Sequence, residues 1–246
     1  MKKFIFIISV GRSGSTLLQS ILNTHDNVVI RGENNNFFYY MMLAHESLLR
    51  DDGRKPAATN PTQPWYGFGN YDQKLFVNTV RKLGIKYMLG EFNSDQVEYL
   101  GFKEIRYFDF FERQKYGDKQ PILKDSGDNG RRKLRELIIF LNKIFRPAFF
   151  ILLERDAHEI SKSGWWNTPG LYEKDKLIKD IEIFYKKTKN ILINNKLDFF
   201  TINYRALKNQ DHKEVEKLFK RIGIQYEQTK SEKVLQTKLT HCMQRK

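Results

Sequence analysis

The stretch Gly11-Arg12-Ser13-Gly14-Ser15-Thr16 has residue types and an order that could do chemistry. Two glycines three apart let the backbone turn tightly and approach an anion, and the amides of residues 13–16 can then point at phosphate oxygens. Ser15 and Thr16 can add hydroxyl donors, and Arg12 a charged fork. The apolar run Phe4-Ile5-Phe6-Ile7-Ile8 precedes the loop, and Leu17, Leu18, Ile21 and Leu22 follow it at helical spacing. A strand–loop–helix of this kind aims a helix dipole at a bound anion. The nucleoside-triphosphate loop needs Gly-x-x-x-x-Gly-Lys-Ser/Thr, but Ser15 stands here where that lysine belongs. The apolar run ending at Leu153 leads into Glu154-Arg155-Asp156 instead of ending in the acidic residue expected to help hold a metal. The loop therefore reads as a phosphate site that requires no metal.

The elements around it alternate. Strands are predicted over 3–9, 28–30, 100–107, 121–124, 148–153 and 199–204. Helices are predicted over 16–22, 36–49, within 71–84 and 93–99, over 134–145, from Asp156 onward with a long helix after it, and over 215–222. Residues 51–70 hold three of the six prolines and read as a lid-like loop, and residues 225–246 as a basic C-terminal tail. No repeat or linker divides the chain. The expectation is α/β: one domain over 1–246, a central parallel sheet flanked by helices, and a P-loop-like nucleotide-binding fold.

Composition narrows the class. Lys and Arg number 43 against 29 Asp and Glu, a net charge of +14 that raises the question of nucleic acid. The basic residues are interleaved with acids, as in Asp175-Lys176 and Lys179-Asp180, and no nucleic-acid module is recognisable, so the charge reads as a solvated basic surface or, as the loop favours, a site for a small, highly charged anion. One cysteine, Cys242, excludes a disulfide framework or a multi-cysteine metal centre and suits a reducing compartment. No apolar run reaches the roughly 18 residues of a membrane span. Met1-Lys2-Lys3 before an apolar stretch imitates a signal peptide, but no small-residue cleavage site follows; a buried strand and a cytoplasmic location are expected.

Arg12-Ser13-Gly14-Ser15-Thr16-Leu17-Leu18, Leu22-Asn23-Thr24-His25 and Gly32-Glu33 together resemble the opening of sulfotransferases that use 3′-phosphoadenosine 5′-phosphosulfate (PAPS). The likeness is greatest to the branch of tyrosylprotein and bacterial carbohydrate sulfotransferases. Phe149 to Asp156, with Ser163 eight residues after Arg155, is similar to that family's strand–Arg–helix motif for the 3′-phosphate. Asn203-Tyr204-Arg205-Ala206-Leu207 resembles its Tyr-Glu-x-Leu segment, with Arg205 in place of Glu.

The resemblance implies that Gly11 to Thr16 cradle the 5′-phosphosulfate, that Arg155 and Ser163 hold the 3′-phosphate, and that Tyr204 contacts adenine. It makes Glu33 the general base, and Lys124, in a segment like the family's Lys-Asp-Pro, the lysine that stabilises the leaving phosphate, with Lys103 as competitor. The co-substrate is then PAPS, no metal is required, and the acceptor is a hydroxyl, carried by a carbohydrate or other cell-surface glycan.

Each assignment has a plainer counterpart. Glu33 could pair with Arg31, Arg155 with Asp156 or Glu154, and either lysine could be a solvated strand end. His25 reads as a helix terminator or packing residue, and Trp165 and Trp166 as packing rather than nucleotide stacking. Lys230, Lys233 and Lys238 could close over the 3′-phosphate or belong to a frayed tail. Two other classes remain open at this point: a small-molecule kinase using ATP and magnesium, and a non-catalytic nucleic-acid-binding protein.

Overall fold

The computed structural model describes residues 2–49, 59–110, 128–170, 172–209 and 211–236. The first half runs β1 (Lys3–Ile8), α1 (Ser15–Leu22), β2 (Val28–Arg31), α2 (Phe37–Leu49), α3 (Gln73–Leu89), β3 (Tyr99–Glu104) and α4 (Asp128–Ile144). The second runs β4 (Ala148–Glu154), α5 (Ala157–Ser161), α6 (Lys174–Asn194), β5 (Asp198–Asn203), α7 (Tyr204–Lys208), α8 (His212–Ile222) and α9 (Gln228–Gln236).

The five strands form one parallel sheet in the order β2-β3-β1-β4-β5. Central β1 is buried along Phe4–Ile8, as a strand covered on both faces must be. Its period-two alternation sorts the core into two layers. Phe4, Phe6 and Ile8 join the cluster of α2, α4 and α6, whereas Ile5 and Ile7 join that of α1 and α8. Phe6 stands within 4.8–5.7 Å of the rings of Phe102, Phe145 and Phe150. Truncating such a ring to alanine costs about 3–5 kcal/mol. This is a single α/β domain, and the strand order decides where it can bind. The connection leaving β1 runs to one side of the sheet and that leaving β4 to the other, so a crevice opens between their carboxyl ends.

Four expectations are revised. Residues 93–98 are turns leading into β3, which begins at Tyr99, so the helix expected over 93–99 does not form. The Asn93 carboxamide accepts from the Asp95 amide at 3.0 Å, an Asx turn that competes with helix, and the amides of Glu98 and Tyr99 donate to the Asn27 carbonyl. Helix α3 is longer than 71–84, from its Asp72 cap to Gly90. Strand β3 stops at Glu104 because residues 106–110 wind into a 3₁₀ turn. Part of the expected tail, residues 228–236, is the helix α9, with Val234 and Leu235 packed on the α1 side of the core. The strand expected over 121–124, Lys238 and residues 51–58 of the lid-like loop lie outside the described residues. Among the described residues no helix is long and apolar enough to cross a membrane.

Candidate active site

The loop between β1 and α1 sits in that crevice. Arg12 (φ 68°) and Gly14 (φ 92°) both take the left-handed conformation that closes the turn. Gly14 is the N-cap of α1, with no side chain capping the helix and no acidic residue in its first turn, so the helix's positive end is left for an outside anion. Exposure alternates along the loop: Arg12, Gly14 and Thr16 are half-buried, whereas Gly11, Ser13 and Ser15 face inward. Ser13 is fully buried, and its Oγ has no hydrogen-bond partner among the described residues. An unpaired buried hydroxyl beside an uncapped helix start fits a phosphate-type ligand.

Distant side chains brace the loop. Trp166 Nε1 donates to the Gly11 carbonyl at 2.9 Å, and an Arg155 nitrogen donates to the Arg12 carbonyl at 2.8 Å. Ser9 Oγ donates to the Leu153 carbonyl at 2.6 Å. The Arg155 guanidinium also lies 4.5 Å from the centre of the Tyr204 ring. Arg12 Nε reaches Ser163 Oγ at 3.5 Å, and its guanidinium lies 5.6 Å from the Trp165 ring. Arg12, Arg155, Ser163 and Tyr204 therefore converge on one loop. Trp166 is buried and packs, whereas Trp165 is 43% exposed, with its ring edge against Gly11. His25 also packs, its ring 5.2 Å from that of Phe219.

A Cβ on Gly14 would lie 2.2 Å from Tyr204 Cδ2 on a backbone that disfavours side chains. Gly14→Ala is therefore expected to cost about 1–2 kcal/mol in left-handed strain alone. At about 2–4 °C per kcal/mol for a domain of this size, thermal unfolding should fall by about 2–8 °C.

Arg155 pairs with neither Asp156 nor Glu154. Asp156 caps α5 through the Glu159 amide at 2.9 Å, and Arg155 Nε donates to Glu159 Oε2 at 3.1 Å, one helical turn on. Glu159 Oε1 accepts from Arg205 at 3.4 Å, and hydrogen bonds from Arg155 and then Arg205 hold its carboxyl below the usual range. Arg205, which departs from the family pattern, thus shares Glu159 with Arg155 and also lies 4.0 Å from the Asp156 carboxylate. Glu159 went unread in the sequence, although its i,i+4 spacing from Arg155 was a usable signal.

Across the loop, Lys103 Nζ donates to Glu33 Oε1 at 2.5 Å; the lysine side chain is 8% exposed and that of Glu33 33%. Arg31 is occupied elsewhere, bonding the Met88 and Leu89 carbonyls at 2.8 and 3.0 Å, so it does not pair with Glu33. The loop and this pair adjoin: the Ser9 amide donates to the Glu104 carbonyl, and Ile105 packs near Gly11. Lys124 lies outside the described residues.

Past β3, burial pushes the Asp109 carboxyl up to about 7 against the pull of Arg106, with Glu104 and Glu33 adding to the rise. A carboxyl raised on folding contributes stability below its unfolded value near 3.8 and loses it as pH climbs toward 7. Asp109→Asn should therefore unfold at nearly the wild-type temperature at about pH 4 and progressively above it as pH rises to 8. Equal pH dependence for both proteins would remove Asp109 from that account.

A parallel sheet with a crevice at its carboxyl ends, an uncapped helix start and convergent guanidinium groups places the chain among α/β domains of the P-loop-like fold. The sequence profile of the sulfotransferase family matches residues 5–228, and the chain belongs to that family. The fold agrees with that of the sulfotransferase domain from the curacin biosynthetic pathway (TM-score 0.56, 16% identity, covering 97% of this chain and 79% of that one). It is also similar to the sulfotransferase domain from the Synechococcus PCC 7002 olefin synthase (TM-score 0.52, 14% identity, 93% and 76% covered). A search of curated proteins returned no match.

Proposed function

We propose that the protein transfers a sulfuryl group from PAPS to a hydroxyl of a carbohydrate, as in the branch of tyrosylprotein and bacterial carbohydrate sulfotransferases. The observation that supports this reading is the contact between Arg155 and the Arg12 carbonyl, which brings the arginine proposed for the 3′-phosphate against the loop proposed for the 5′-phosphosulfate. Gly11 to Thr16 would hold the phosphosulfate through amides and the Arg12 fork, and Arg155 and Ser163 the 3′-phosphate. Tyr204, stacked on Arg155, would contact the adenine.

The bound nucleotide supplies the sulfuryl group. Sulfuryl transfer, like phosphoryl transfer, rests mainly on positioning and on stabilising charge. Glu33 takes the proton of the acceptor hydroxyl as general base, and Lys103 fixes its carboxylate. Lys124 is proposed to neutralise charge on the departing phosphate. The acceptor region falls to residues 34–70 and 85–118, where aromatic side chains are dense. The single cysteine suits the cytoplasm as the working compartment.

Thermal unfolding with 3′-phosphoadenosine 5′-phosphate, against ATP plus magnesium, tests the reading. At about 100 times its dissociation constant a ligand adds about 2.7 kcal/mol, or roughly 5–10 °C for a domain of this size. The bisphosphate should give that shift and ATP with magnesium a much smaller one; the reverse order would replace sulfuryl transfer with kinase chemistry.

A further inference from the structure

Directly after Glu33 the chain makes a costly turn. Asn35 (φ 54°) and Asn36 (φ 61°) are both left-handed, consecutively and without glycine. Asparagine tolerates this region better than other side chains, but two in succession still cost free energy that the surroundings must offset. On the far side the turn launches α2, where the Phe37 amide bonds Asn34 Oδ1 at 3.0 Å and Phe38 and Tyr39 are buried. On the near side it meets the end of β3.

There Glu104, 0% exposed, puts its carboxylate into the hollow of the turn. Its Oε2 accepts from the amides of Asn34 at 3.1 Å and Asn36 at 3.3 Å, on either side of Asn35. Its Oε1 accepts from the amides of Ile105 and Arg106, both at 3.0 Å. Four backbone donors thus converge on one buried carboxylate, and hydrogen bonds to an ionised acceptor are roughly twice as strong as neutral ones. The preceding residue, Lys103, grips the Glu33 side chain at 2.5 Å. The last two residues of β3 therefore hold Glu33 from two directions, Lys103 by its carboxylate and Glu104 by the backbone that follows it.

We infer that Glu104 is a positioning residue for Glu33: its buried carboxylate stabilises the left-handed Asn34–Asn36 turn and so fixes where the proposed base stands. This rests on the reading of Glu33 as base. Glu104 touches no reacting atom in this scheme, and a merely structural role predicts different data. Glu104→Gln keeps the shape but presents an amide donor to two of the four N–H groups. Glu104→Asp keeps the charge and withdraws it by one methylene.

The experiment uses the full chain, PAPS, and whichever p-nitrophenyl β-glucoside, β-galactoside or β-N-acetylglucosaminide wild type sulfates fastest. A misplaced reacting group can cost about 10²-fold. Either variant should therefore lower kcat by about 10–100-fold, with acceptor KM within about twofold and the shift caused by 3′-phosphoadenosine 5′-phosphate unchanged. In a Glu33→Gln background the Glu104 change should add almost nothing, because residues acting through one another are not additive. Amide exchange measured across residues 33–37 should show protection in wild type and its loss in the Glu104 variants.

A folded Glu104 variant with full kcat, losses that multiply in the double variant, or unprotected wild-type amides would overturn the inference. If Glu33→Gln alone keeps its rate, the base reading is what fails, and the exchange data still report whether Glu104 holds the turn. Should Glu104→Gln not fold, Glu104→Asp and the wild-type exchange decide the matter.

Discussion

Glu33→Gln is expected to stop turnover while leaving the nucleotide site intact. A positioned general base contributes about 10²–10⁴ in rate, so single-turnover transfer should slow by that factor. The substitution keeps an oxygen for Lys103 and removes only the charge and the capacity to take a proton. Lys103, 8% exposed on its side chain, would keep a hydrogen bond but lose its counter-charge, so some loss of thermal stability should accompany the lost rate. The loop and Arg155 lie on other elements, so stabilisation by 3′-phosphoadenosine 5′-phosphate should match wild type. Normal transfer by the glutamine variant would exclude Glu33 as base.

Arg155→Ala is expected to act on binding instead. It deletes the donor to the Arg12 carbonyl, the partner of Glu159 and the cation over Tyr204 at one stroke. It also leaves Glu159 with Arg205 alone of its two arginine partners, so uncompensated negative charge would stand one helical turn from the loop's arginine. Hydrogen bonds to charged groups are worth about 1.5–3 kcal/mol, and with the lost bracing of the loop the affinity for 3′-phosphoadenosine 5′-phosphate should fall about 10²-fold. Isothermal titration would read this directly, and kcat at saturating nucleotide should change far less. Affinity within about twofold of wild type would detach Arg155 from the nucleotide. Because Arg155 and Glu159 are coupled, Glu159→Gln alone should strengthen binding, most clearly at low salt.

The loop after β1 and the run ending at Arg155 were legible because their signals are local. An apolar strand, a glycine-rich turn and a helical stripe declare themselves within a few residues, and so does the apolar run of β4. The misread segment, 93–99, failed for the same reason in reverse. An Asx turn at Asn93 and a carbonyl supplied by Asn27 outweighed weak helical spacing, and that carbonyl belongs to a distant part of the chain.

Partner choice is what the linear order left open. Arg31 stands two residues from Glu33, yet the carboxylate is taken by Lys103, because β3 lies beside β2 in the sheet and the end of α3 claims Arg31. Arg155 likewise passes over its two acidic neighbours for Glu159, because Asp156 is spent capping α5. The amino-acid sequence by itself determined the five strands of the sheet, the glycine-serine loop and the kinds of side chain available to it. The tertiary structure alone decided which carboxylate meets which cation, and that a buried glutamate braces the turn after Glu33. Local propensity acts over one or two turns of chain, whereas ion pairing and burial depend on distances that only sheet order and packing set.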